Sequence, residues 1–202
     1  MARLPRSFYL GDTVEIARSL VGKYLMRVYN GEILLGRITE TEAYVGRMDK
    51  ACHAYNYRRT PRTEVMFGEA GHAYIYFTYG MHHCLNFVTE EIGEPSAVLI
   101  RGIEPILGTE TMAQLRFGRS FAQLTHYQKK NFLNGPGKLC QALALTREEN
   151  GIDLLGDVLT CYDSVADFGL PDTSIGKIET GKRIGIAYAE EAVDFPWRFY
   201  VK

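Results

Sequence analysis

The sequence predicts an α+β fold, within the broad α/β class, in which a mixed and largely antiparallel sheet is flanked by helices and residues 1–202 form one domain. Three observations carry this prediction. Two stretches rich in β-branched and aromatic residues, Lys23 to Tyr29 and Glu32 to Thr39, are joined by Asn30-Gly31, the strongest short-range hairpin signal. A second pair, His72 to Tyr79 and His83 to Thr89, meets at Gly80-Met81. The helical patterns do not alternate with strands in βαβ order, so a parallel sheet is not expected. With 46% hydrophobic and 23% charged residues, 202 residues suffice to bury one well-formed core.

The elements follow in chain order. Asp12 with Glu15 resembles a capping box, and Val14, Ala17, Leu20 and Val21 recur at helical spacing until Gly22 stops them. The strand that begins at Glu32 runs on toward Tyr44, which puts Glu40, Glu42 and Tyr44 on one face and Thr41 and Ala43 on the other. Gly46 to Gly71 reads as a long basic loop, a length that in compact domains goes with function. Beyond the second hairpin, Glu90 to Pro95 is turn-like and Ser96 to Ile103 is a third apolar strand. Thr109 to Arg116 has helical character, Ser120 to Asn134 is ambiguous, and Pro136 opens a helix that continues through Lys138 to Leu145. From Asp153 to Val201, short strand-like runs alternate with Gly, Asp and Pro turns.

Composition excludes several classes. The net charge of −1 gives no global attraction to nucleic acid, so any such affinity must reside in a local basic face. Charged residues interrupt Met1 to Tyr24, leaving no apolar core of secretory type, and no run has the length of a membrane span. The four cysteines lack a CxxC pair, so a cytoplasmic protein with reduced thiols is expected. Gly135-Pro136-Gly137-Lys138 is not a P-loop, and no GxGxxG lies between a strand and a helix. His82-His83-Cys84 and Cys52-His53 lack zinc-ligand spacing, and neighbours on a strand face opposite ways; no metal site is expected.

What remains is an unusual gathering of rings, base and acid. Six of the 13 tyrosines lie between Tyr44 and Tyr79, beside a stretch from Arg47 to Arg62 with five basic residues and one acidic. Flat rings sandwich a flat ligand, basic residues hold a polyanion, and a strand-end carboxylate activates water, so the combination points to chemistry on a nucleobase. In that reading Glu42 is a general base, Tyr44 stacks on the leaving base, and Tyr79, at a hairpin tip beside Met81, wedges between base pairs. Arg58, Thr60 and Arg62 are expected against the DNA backbone. Lys138, in the first turn after Pro136, either joins them at a phosphate or belongs to an ordinary helix start. A non-catalytic module that binds damaged DNA or RNA with the same aromatic groove is the alternative.

Several motifs in order carry a resemblance. Arg37 to Tyr44 (RITETEAY), Thr60-Pro61-Arg62, Tyr74 to Met81 (YIYFTYGM), Gly135 to Leu143 (GPGKLCQAL) and Arg198-Phe199-Tyr200-Val201 resemble the alkyladenine (3-methyladenine) DNA glycosylase family, from about Leu10 to the end. The resemblance implies a monofunctional enzyme that excises alkylated or deaminated purines from double-stranded DNA as a monomer without a cofactor. It also implies a single α/β domain from whose antiparallel sheet a wedge hairpin protrudes. By the same resemblance, Glu42 deprotonates the attacking water with help from Arg101 and the backbone near Ile184. Tyr44 and His53 flank one side of the flipped base and Tyr76 the other, Tyr79 intercalates, and Asn86 crowds the amino group of a normal guanine. His82 and His83 depart from the aromatic residues expected in animal members, and the short chain suits a bacterial origin.

Overall fold

A computed structural model describes residues 3–78 and 80–202. Helices are α1 (Arg6–Tyr9), α2 (Thr13–Leu20), α3 (Thr109–Phe117), α4 (His126–Lys130) and α5 (Pro136–Ala142); strands are β1 (Tyr24–Tyr29), β2 (Glu32–Val45), β3 (Ala73–Thr78), β4 (His82–Thr89), β5 (Ser96–Leu107), β6 (Leu159–Tyr162), β7 (Ile178–Gly181) and β8 (Arg198–Val201). The fold is α+β, built on one sheet with the strand order β3-β4-β5-β2-β1-β6; β8 also pairs with β2, and β7 with β8. Among the described residues every ladder is antiparallel, so the expected mixed sheet carries no parallel pair.

Local chemistry accounts for the elements nearest the site. The Asp12 side chain accepts from the amides of Val14 and Glu15 and caps α2, which is the Asp12 half of the expected capping box. Asn30 and Gly31 adopt φ values of 50° and 81°, so the two-residue turn between β1 and β2 has the positive-φ pair that matches strand twist. β2 reaches Val45, and β5 runs past the predicted Ile103 to Leu107 because it follows β2 along its length. Their register is irregular around Glu40: Glu40 pairs with Gly102 and Thr41 with Ile100, leaving Arg101 as the extra residue of a bulge. The ambiguous 120–134 segment resolves into a single 3₁₀ turn and α4, while the short helix α1 has no counterpart in the sequence reading.

α2 packs on β2 and β5, and α5 on β4 and β5, so one face of the sheet is closed by helices. Leu20, Leu34, Ile38, Phe87, Ile100 and Leu139 lie in that core, all fully buried. A smaller cluster, Cys52, Met66, Tyr74, Val88 and Ala97, forms around the loop between β2 and β3, with Tyr44 and Tyr76 packed against it. This loop contains two 3₁₀ turns, 55–57 and 64–67, and is otherwise irregular, as expected. Among the described residues no helix is long and apolar enough to cross a membrane.

Candidate active site

The predicted pocket residues converge. One cavity of about 360 Å³ is lined by Tyr44, His53, Tyr76, Asn86, Arg101 and Ile184, with Arg62, Tyr74 and Cys84 among its other walls. β2 supplies Tyr44, β3 Tyr74 and Tyr76, β4 Asn86, and β5 Arg101; the loop after β2 adds His53 and Arg62, and the segment before β8 adds Ile184.

Glu42 lies beneath this cavity and is not part of its exposed lining: its relative exposure is 0%. One carboxylate oxygen accepts the Ile184 amide at 2.8 Å and stands 3.4 Å from Arg101 Nε, while the other accepts the Tyr44 hydroxyl at 2.7 Å. Burial raises the Glu42 pKa above the ordinary carboxylate range; Arg101, Tyr44 and the Ile184 amide pull the other way without cancelling it, and Glu40 adds to the rise. The Tyr44 hydroxyl, with its pKa pushed well up by burial and by Glu42, stays protonated and can only donate to the carboxylate. A carboxylate poised in this way is a stronger base than an exposed one.

A second acid, passed over in the sequence, completes the charge network. Glu40 accepts from Arg101 Nε at 3.0 Å and from Arg198 Nε at 2.7 Å, so Arg101 stands between two carboxylates on one strand face. The alternation of Glu40 and Glu42 was the visible signal; the partner Arg198 arrives only when β8 pairs with β2. Another unforeseen pair lies behind Tyr44. Arg183 and Asp49 form a fully buried bidentate ion pair, and the Arg183 guanidinium sits 4.7 Å from the centre of the Tyr44 ring and 5.1 Å from that of Trp197. Its bonds to the carbonyls of Ala43 and Ala192 fasten this support to β2 and to the turn after Tyr188.

Across the cavity, His53 Nδ1 is 3.0 Å from the Tyr74 hydroxyl and its Nε2 is 3.3 Å from Arg62. Arginine only donates, so Nε2 is the acceptor and Nδ1 carries the proton. Burial and the Arg62 charge push the His53 pKa down to about 4, which keeps the ring neutral at pH 7. Its centroid is 4.6 Å from that of Tyr76, edge to face, and Tyr74 lies 5.5 Å from the same ring. Asn86, 4% exposed, donates its amide to the carbonyls of Tyr74 at 3.0 Å and Cys84 at 3.3 Å, so its head group is fixed in the wall.

The proposed DNA-facing residues occupy different surroundings. Arg58, Thr60 and Arg62 line an adjoining cavity with Lys50, and Arg62 lines both cavities. Lys138 is half-buried and donates to Asn134 Oδ1 at 2.9 Å, with Asn131 also in reach. The expected wedge, Tyr79, lies outside the described residues; its neighbour Met81 is 68% exposed. Of the two histidines that follow, His82 packs so close to Gly137 that a Cβ there would lie 2.9 Å from its ring, and His83 lies 4.9 Å from Phe77. All four cysteines are free and buried, Cys52 and Cys84 in the cavity wall.

A family model described as methylpurine-DNA glycosylase (MPG) matches residues 7–202. The chain belongs to the methylpurine-DNA glycosylase family. Among similar proteins, one from Clostridium perfringens (strain 13) is 50% identical over 204 residues, covering 99% of this chain and 96% of its own length. One from Desulfitobacterium hafniense is 50% identical over 202 residues (100% and 96%), and one from Bacillus cereus 50% over 196 (97% and 94%). All three bear the name "Putative 3-methyladenine DNA glycosylase".

Proposed function

We propose that this protein is a monofunctional DNA glycosylase that removes 3-methyladenine-type alkylated or deaminated purines from duplex DNA, acting as a monomeric single domain in the bacterial cytoplasm. The observation that carries the reading is the Glu42 carboxylate, sealed beneath a cavity walled by Tyr44, His53 and Tyr76 and faced by Arg101. The names of the relatives supply the substrate class.

The damaged nucleotide turns out of the duplex, with Tyr79 and the exposed Met81 filling the gap it leaves, and the base enters the ring-lined cavity. Weakly paired lesions cost less to extrude, and a methylated cation gains from stacking on electron-rich rings. Water then attacks C1′ as the glycosidic bond breaks; the bonding pair leaves with the base, and Glu42 takes the proton from water. A cationic alkylated base departs neutral, so no second carboxylic acid is required for it; a neutral deaminated base departs as its anion and takes its proton from solvent. The carboxylate charge also stabilises the oxocarbenium-like sugar. Attack by water and not by an amine fits a cavity with no lysine in its lining among the described residues; Lys50, in the adjoining cavity, is tied to Glu190 and Glu191. Arg58, Thr60, Arg62 and Lys138 hold the backbone.

The alternative, a non-catalytic module for damaged DNA or RNA, draws on one observation: in the free protein Glu42 is closed off from solvent. The two readings separate on whether free base accumulates. Wild type incubated with methylated duplex releases it, and Glu42→Gln binds the same duplex while its single-turnover release falls at least about 100-fold, the scale of general-base catalysis. Binding without release by wild type, or full release by the variant, overturns the assignment.

A further inference from the structure

The cavity already contains a planar cation. Arg62 is exposed at its mouth, yet its guanidinium carbon lies 4.8 Å from the centre of the Tyr76 ring and its Nη2 lies 3.3 Å from His53 Nε2. Among the described residues no carboxylate pairs with it, whereas Arg59, three positions earlier, is held by Glu64. Tyr74 and His53 are packed against the same ring, so the guanidinium stands where a stacking base has to go. It also uses the only free lone pair of the His53 ring, since Nδ1 is committed to Tyr74.

Resting on the glycosylase reading, we infer that Arg62 determines selectivity as a built-in competitor for the base slot: it covers Tyr76 and His53 in the free protein, and an entering base must displace it. Its destination is at hand, because the same residue lines the adjoining cavity with Lys50, Arg58 and Thr60, where a backbone phosphate would receive it. Displacement exacts the same cost from every base. A lesion whose extruded state is strongly favoured stays fully seated despite that cost. An intact base, seldom extruded, has its occupancy cut in proportion. The competitor therefore widens the gap between lesion and normal purine without touching either one in the reacting state.

The test removes DNA from the comparison. Free 3-methyladenine is titrated calorimetrically into wild type, Arg62→Gln and Arg62→Lys, each checked for native unfolding temperature. Arg62→Gln, which keeps a planar head without charge, is expected to bind the base about 3- to 10-fold more tightly, the size of a lost cation–π contact, and Arg62→Lys to stay near wild type. Unchanged affinity in Arg62→Gln means that the residue serves the backbone alone, and weaker affinity means that it grips the base; either result overturns the inference and leaves the glycosylase reading intact. Failure of both wild type and Arg62→Gln to bind 3-methyladenine removes the pocket assignment and the inference with it.

Discussion

Tyr44→Phe isolates one bond in the proposed active site. The substitution keeps the ring that lines the cavity and the Arg183 guanidinium behind it, and deletes only the hydroxyl that donates to Glu42 at 2.7 Å. Because Glu42 has no exposure, solvent does not replace that donor. A hydrogen bond to a charged group is worth about 1.5–3 kcal/mol, and the tyrosine bonds only the ionised carboxylate as a donor, so its loss favours the protonated form. The sign follows from the direction of the existing shift. The Glu42 pKa is already raised by burial, so activity is lost as pH falls through a midpoint above the ordinary glutamate range, and removing the hydroxyl moves that acid limb further up. At a fixed pH on the limb, single-turnover release should drop about 10- to 100-fold, while the alkaline plateau stays within a few-fold of wild type. The assay is a pH–rate profile of base release under saturating enzyme. An acid limb that superimposes on the wild-type curve refutes the argument that Tyr44 stabilises the working carboxylate.

Two further outcomes are expected. Asp49→Ala leaves the Arg183 guanidinium buried without its counter-ion, a change that costs about 3–5 kcal/mol; urea unfolding measures it, and a loss below about 1 kcal/mol contradicts the role given to the pair. His53 should remain neutral with its proton on Nδ1 down to a titration midpoint of about 4, read from imidazole nitrogen shifts by NMR. Since folding lowers this pKa, the unfolded chain binds the proton more readily, and the His53 contribution to stability is lost as pH falls from about 6.5 toward 4. A midpoint at 6 or above contradicts the burial argument.

What could be read from the sequence was what local pattern encodes. Asn30-Gly31 names its own turn, Asp12 its own cap, and the period of two along β2 puts Glu42 and Tyr44 together before any partner strand is known. The convergence of Tyr44, His53, Tyr76 and Asn86 followed from the family resemblance, since no spacing rule brings a loop histidine against a ring on β3. Other features were out of reach because they depend on distant segments. Arg198 meets Glu40 across 158 positions, and Asp49 meets Arg183 across 134. The bulge at Arg101 depends on how two long strands fail to keep step, which neither strand shows alone. Arg62 was expected against the DNA backbone; only the fold sets it over Tyr76.

The four cysteines give the site a chemical tolerance of its own. Thiolate, not thiol, is the nucleophile that attacks electrophilic methyl donors. Burial pushes the Cys52 and Cys161 thiols up to about 12, and raises Cys84 and Cys140 as well. Reagents that damage DNA would therefore find almost no thiolate at these four cysteines, even at Cys52 and Cys84 in the cavity wall, and the thiols beside the bound base would be spared the exposure that creates the lesion.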